Sequence, residues 1–165
     1  PLAKKLEGIT GGLTFNRLAL SENGSRFILP TRDTYRDFLQ QYLAAMQTHP
    51  VLIAQDHLLN ILCEEQGKPL SGGCTGHGCG AAFNFVAILP DGAVHACRKL
   101  PSPIGNILTQ RLEEVYSSAT AARYREGSTA CSGCKLKPVC GGCLAVTASF
   151  GHDPLTSKDP YCFRI

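Results

Sequence analysis

The sequence predicts an α+β fold in which a small β-hairpin, short helices and loops are gathered around cysteine side chains. Three observations predict it. An amphipathic helix pattern follows residue 31, a strand–turn–strand pattern occupies residues 83–97, and nine cysteines are present, all but Cys63 beyond residue 73.

Taken in order, Leu13-Thr14-Phe15-Asn16-Arg17-Leu18-Ala19-Leu20 alternates in part and meets Ser21-Glu22-Asn23-Gly24, so it reads as strand then turn. Thr31 or Thr34 can cap a helix in which Tyr35, Phe38, Leu39, Tyr42, Leu43 and Met46 recur at i, i+3, i+4, i+7, i+8 and i+11, with Pro50 as its stop. Gln55 to Glu65 reads as a second helix, with Gly67 near its C-terminus. From Ser71 the composition shifts to glycine, cysteine and short apolar segments, so the best single domain cut falls near 67–73 and divides residues 1–70 from 71–165. Phe83 to Leu89 and Ala93 to Cys97 read as paired strands, with Pro90-Asp91-Gly92-Ala93 as their turn. Leu112 to Arg125 reads as helix, broken near Ser117-Ser118. Cys131 to Cys143 is too rich in cysteine and glycine for a regular element, and Leu144 to Phe150 fits a short helix.

Composition narrows the function classes. Hydrophobic residues make up 44% of 165, enough for a substantial core. No apolar run approaches the ~20 residues of a membrane span, and no secretory leader opens the sequence. The formal charge of +3 is spread along the chain without a basic run, which argues against a nucleic-acid partner. A reducing cytoplasm is the expected setting, where clustered cysteines mean metal or catalysis. The first residue is Pro1, which reads as a piece of a longer protein.

The cysteines carry the chemistry. Cys131-x2-Cys134-x5-Cys140-x2-Cys143 places four thiols in one short loop, where Gly133, Gly141 and Gly142 let the backbone wrap and aim N–H groups at sulfur. Cys74 and Cys79 lie upstream, Cys97 follows the hairpin, and Cys162 closes Asp159-Pro160-Tyr161-Cys162. Leaving Cys63 aside as a buried apolar residue among Leu58, Leu59, Ile61 and Leu62, two sets of four remain. Soft thiolate tetrads select iron–sulfur clusters, zinc or copper(I) and exclude magnesium and calcium. An odd cysteine count argues against a disulfide framework. His77, His95 and the pair His152-Asp153 read as loop, strand-surface and turn residues rather than ligands; Arg98-Lys99 reads as exposed or as an offset to nearby negative charge.

The segment Cys79 to Cys97, with Gly92-x4-Cys97, together with Ile104-Gly105-Asn106-Ile107, the helix from Leu112, the Cys131–Cys143 loop and the terminal Cys162, resembles a SPASM domain. Domains of this kind are C-terminal auxiliary-cluster modules of radical SAM enzymes, many of which mature ribosomally made peptides. The resemblance covers roughly residues 74–163 and departs from the commoner pattern in having two residues, Gly141-Gly142, before the last cysteine of the loop. Gly78 to Phe85 and Val94 to Lys99 further resemble maturases assigned to thio(seleno)oxazole modification.

What the resemblance implies is specific. Two 4Fe–4S clusters are expected, one on Cys74, Cys79, Cys97 and Cys143, the other on Cys131, Cys134, Cys140 and Cys162. Residues 1–70 would be the last β/α unit of a partial TIM-type barrel. A precursor peptide and a redox donor or acceptor protein would be the partners. No CxxxCxxC loop is present, so S-adenosylmethionine, its own cluster and the catalysis would belong to a missing N-terminal region, and the fragment alone would be inactive. Electron transfer and substrate placement remain as its roles. Two accounts compete: a zinc-stabilised interaction module without redox activity, and an independent ferredoxin-like carrier that would not need residues 1–66.

Overall fold

The computed structural model describes residues 2–20, 27–72 and 78–164. Among these it is a small α+β structure with one three-stranded antiparallel sheet and six α-helices. The helices are α1 (Leu2–Leu6), α2 (Arg32–Ala45), α3 (Leu59–Glu65), α4 (Leu112–Ser117), α5 (Ala119–Glu126) and α6 (Leu144–Ser149); the strands are β1 (Ala87–Ile88), β2 (Ala93–Cys97) and β3 (Leu100–Asn106). None of the described helices is long and apolar enough to cross a membrane.

Helix α2 begins where the sequence places its cap. The Thr31 hydroxyl accepts a hydrogen bond from the Thr34 N–H at 3.1 Å, satisfying one of the first turn's free donors. Tyr35, Leu39 and Leu43 then form the buried stripe, and Phe38 and Tyr42 hold the Phe15 ring between them at 4.8 Å from each. Helix α3 starts at Leu59, later than expected, because the Asp56 carboxylate takes the Leu58 N–H at 2.9 Å and holds residues 56–58 in a turn. The expected strand at 13–20 does not form. Only Leu13 bridges to Leu52, with no second strand beside the rest to complete a ladder among the described residues. The expected turn at Ser21–Gly24 lies outside the described residues.

The hairpin turn is as expected. Gly92 has φ +81°, its N–H donates to Leu89, and an added Cβ would stand 2.6 Å from Leu108 Cγ. The first strand, however, is only Ala87–Ile88, since residues 81–85 instead form a turn bridged between Ala81 and Phe85. β3 is an addition to the sequence reading. Leu100, Ser102 and Ile104 point inward, while Pro101 and Pro103 face out on a sheet edge, where proline's missing N–H is tolerated. Helices α4 and α5 break at Ser118 (ψ 152°), whose hydroxyl caps α5 through the Ala121 N–H, as the Ser117-Ser118 pair predicts.

Two apolar clusters form the core. One joins Tyr35, Leu39 and Leu43 of α2 and Leu58 to Cys63 around α3 to Leu136, Cys140, Val146 and Tyr161. The other joins Ala81, Ala82, Val94, Ala96, Leu100, Ile104, Val115 and Ala121 to Leu144 and Ala145. Helix α6 contributes to both, and Cys143, just before it, packs against both. Cys63 is buried within the first cluster, as an apolar residue would be.

Candidate metal centre

Seven of the described cysteines line two chambers, and two of them, Cys79 and Cys134, also line a third cavity. Cys79, Cys97 and Cys143 line a cavity of ≈330 Å³ together with Phe15, Arg17, Asp56 and His57. Cys131, Cys134, Cys140 and Cys162 line a second, tight cavity of ≈20 Å³, with Leu58, Ile61 and Asp159 in its wall. Cys74 and His77 lie outside the described residues. Cys63 enters neither wall. Among the described residues no group of three His, Cys, Asp or Glu side chains is arranged to close on a single ion; the thiols stand around spaces.

Local chain geometry brings each thiol in. The sheet delivers Cys97 at the end of β2, where its N–H is taken by the Ser102 hydroxyl at 3.1 Å and its Sγ accepts the Lys99 N–H at 3.4 Å. Gly141 and Gly142 both have positive φ, turning the chain so that Cys140 faces one chamber and Cys143 the other. Gly142 has no room for a side chain, since its Cβ would stand 2.8 Å from the Asp159 Cβ. Gly78 is the same case: with φ +81° and a Cβ position 2.6 Å from the Cys140 carbonyl oxygen, alanine there would cost on the order of 1–3 kcal/mol. Gly133 does not share this role; its φ is not positive and its Cβ position is open.

Backbone N–H groups are aimed at sulfur, as cysteine-ligated metal sites require. Cys79 receives those of Ala81 and Leu144, Cys143 those of Ala145 and Val146, and Cys140 that of Gly142. Burial nonetheless dominates: it pushes the Cys79 thiol up to about 11 and Cys140 to about 12, and raises Cys143 as well. The Cys131 thiol is raised first by burial and then by its neighbours Cys162 and Cys134. Neighbouring sulfurs act the same way within each chamber, Cys143 and Cys97 on Cys79, and Cys162 on Cys140. Without metal these thiols hold their protons near neutrality, so loading either chamber releases protons.

A buried ion network lies between the chambers, and the sequence reading did not anticipate it. Arg17 donates from Nε to Asp56 Oδ2 at 2.6 Å and from a terminal nitrogen to Asp159 Oδ2 at 2.5 Å, with its side chain 6% exposed. Asp159, 1% exposed, also accepts the Cys143 N–H at 2.8 Å and the Tyr161 N–H at 3.0 Å. His57 donates from Nδ1 to the Gly142 carbonyl at 3.1 Å, and burial lowers its pKa. Burial also opposes the charge on Arg17, but Asp56 and Asp159 outweigh it and raise its pKa. Removing Arg17 alone would strand two buried carboxylates, at a cost of about 3–5 kcal/mol.

The other sequence candidates are structural or peripheral. His95 accepts the Ser102 N–H at 3.0 Å and so ties β2 to β3. Asp153 caps its turn through the Leu155 N–H and Thr156 hydroxyl, while His152 is exposed. Arg98 and Lys99 are exposed at the rim of the larger chamber, with the Arg98 guanidinium 5.9 Å from the centre of the Phe85 ring.

Thiol donors, sulfur-directed N–H groups and glycines with no space for a Cβ are the features that a cysteine-ligated metal centre would use. Residues 79–143 match the SPASM family, an iron–sulfur cluster-binding domain. The matched span contains Cys79, Cys97, Cys131, Cys134, Cys140 and Cys143, and leaves out the terminal Cys162 and all of α2 and α3. No curated protein and no solved structure matches the chain.

Proposed function

We propose that this chain holds two 4Fe–4S clusters and is the auxiliary-cluster portion of a radical SAM enzyme that modifies a ribosomally made peptide. The observation that carries the reading is that Cys79, Cys97 and Cys143 line one cavity and Cys131, Cys134, Cys140 and Cys162 another, although Cys79 and Cys134 also line a third. It supports the proposed ligand sets, in which Cys74 is the fourth ligand of the first. Residues 1–70 are assigned to the end of a partial barrel and 71–165 to the cluster domain. The match to an iron–sulfur cluster-binding family supports the choice of metal.

When bound, such clusters accept and pass on electrons singly. The chain's own residues hold the thiolates, direct N–H groups at them and keep a guanidinium nearby. The missing CxxxCxxC loop assigns S-adenosylmethionine chemistry to another region of the parent protein. A precursor peptide and a redox protein are then the partners, and a reducing cytoplasm the setting. The thio(seleno)oxazole-modification subgroup is the finer form of this reading, supported by short strings around Cys79 and Cys97.

One observation favours a second reading. The smaller cavity, at ≈20 Å³, has room for about one water-sized sphere, which is closer to the size of a single zinc ion than to that of a cluster. Reductive titration separates the two. An anaerobically prepared chain should take up one electron at each of two centres; a chain that takes up none is the zinc-stabilised module.

A further inference from the structure

Because Arg17 lines the larger chamber and Asp159 the smaller, their ion pair stands in the wall between them. The same Asp159 oxygen that meets Arg17 also holds the N–H of Cys143, the residue that packs against both apolar clusters. Three charges, Arg17, Asp56 and Asp159, are thus enclosed together, and each charged side chain is nearly inaccessible to water. Charges so placed are weakly screened by solvent and salt, so they act on any electron arriving nearby.

We infer that the buried Arg17–Asp159 pair is a shared potential-setting device for both chambers, supplied to the cysteine domain by a segment that precedes it in sequence. The inference rests on the two-cluster reading above. Arg17 favours the reduced, more negative form of either cluster, and Asp159 limits that effect while fixing the guanidinium in place. The pair therefore positions charge and does not ligate iron. Neutralising Asp159 leaves Arg17 less compensated, and both clusters become easier to reduce.

The test is anaerobic potentiometry of the loaded chain, read by electron paramagnetic resonance, with the two signals assigned through Cys97→Ala and Cys131→Ala. In Asp159→Asn the reduced-to-oxidised ratio at a fixed potential should rise at least tenfold for both signals, which is 59 mV for a one-electron couple. Asp159→Glu keeps the charge and should leave both ratios within about threefold of the parent. A tenfold rise at only one signal, or at neither, overturns the inference, as does an equal response to Asp159→Glu. Should Asp159→Asn fail to retain iron, Arg17→Gln decides, because it removes the other charge of the pair. A tenfold fall in the ratio at both signals then supports the inference, and a fall at only one signal, at neither, or loss of iron overturns it. A parent chain without iron and sulfide fails earlier, and refutes the two-cluster reading itself.

Discussion

Replacing Cys143 with alanine is expected to remove about half of the iron and sulfide and to leave the remaining centre spectroscopically unchanged. Its thiol faces the chamber of Cys79 and Cys97, although it belongs by sequence to the loop that supplies Cys131, Cys134 and Cys140. A reading by sequence proximity would group Cys143 with that loop and expect the other cluster to be lost. The structure separates them through Gly141 and Gly142, whose positive φ values turn the chain between Cys140 and Cys143. Alanine keeps the backbone N–H that Asp159 accepts, so the corner itself is retained. The effect is therefore confined to one chamber. Iron and sulfide analysis, combined with the loss of the signal assigned to Cys97, checks it. Full retention of both clusters would contradict the ligand sets.

Deleting residues 1–66 is expected to abolish cooperative thermal unfolding of the remainder. The deleted segment supplies Tyr35, Leu39, Leu43, Leu58, Leu59, Ile61, Leu62 and Cys63 to a core whose other members are Leu136, Cys140, Val146 and Tyr161. Truncating one buried leucine to alanine costs about 2–5 kcal/mol, and a domain of this size is stable by only about 5–15 kcal/mol. Four fully buried leucines, Leu39, Leu58, Leu59 and Leu62, leave at once. The deletion also removes Arg17 and Asp56, stranding Asp159. Melting followed by circular dichroism checks the result. An unchanged transition would favour an independent ferredoxin-like carrier.

Much of this arrangement can be read in the sequence, and the omissions have physical causes. Helix α2 shows itself through its Thr31 cap and i, i+4, i+8 stripe, because a surface helix has to bury one face. The break at Ser118 and the hairpin at Gly92 rest on local chemistry and are equally visible. β3 is hidden by Pro101 and Pro103, which argue against a strand unless its edge position is known. The alternation at residues 13–20 suggests a strand, but pairing depends on a neighbour that the local sequence does not reveal. Arg17 offers a sign. It lies on the same period-two face as Phe15 and Ala19, where an unpaired charge would be costly, so a buried partner is implied. Asp56 and Asp159 are distant from each other in sequence, and only the fold brings both to that guanidinium.

Whether the two cysteine chambers hold iron and inorganic sulfide is tested most directly by measuring iron, acid-labile sulfide and zinc on one oxygen-free preparation of the chain. Four irons and four sulfides are expected for each chamber, with little zinc. Zinc alone, or neither iron nor sulfide, would contradict the two-cluster reading.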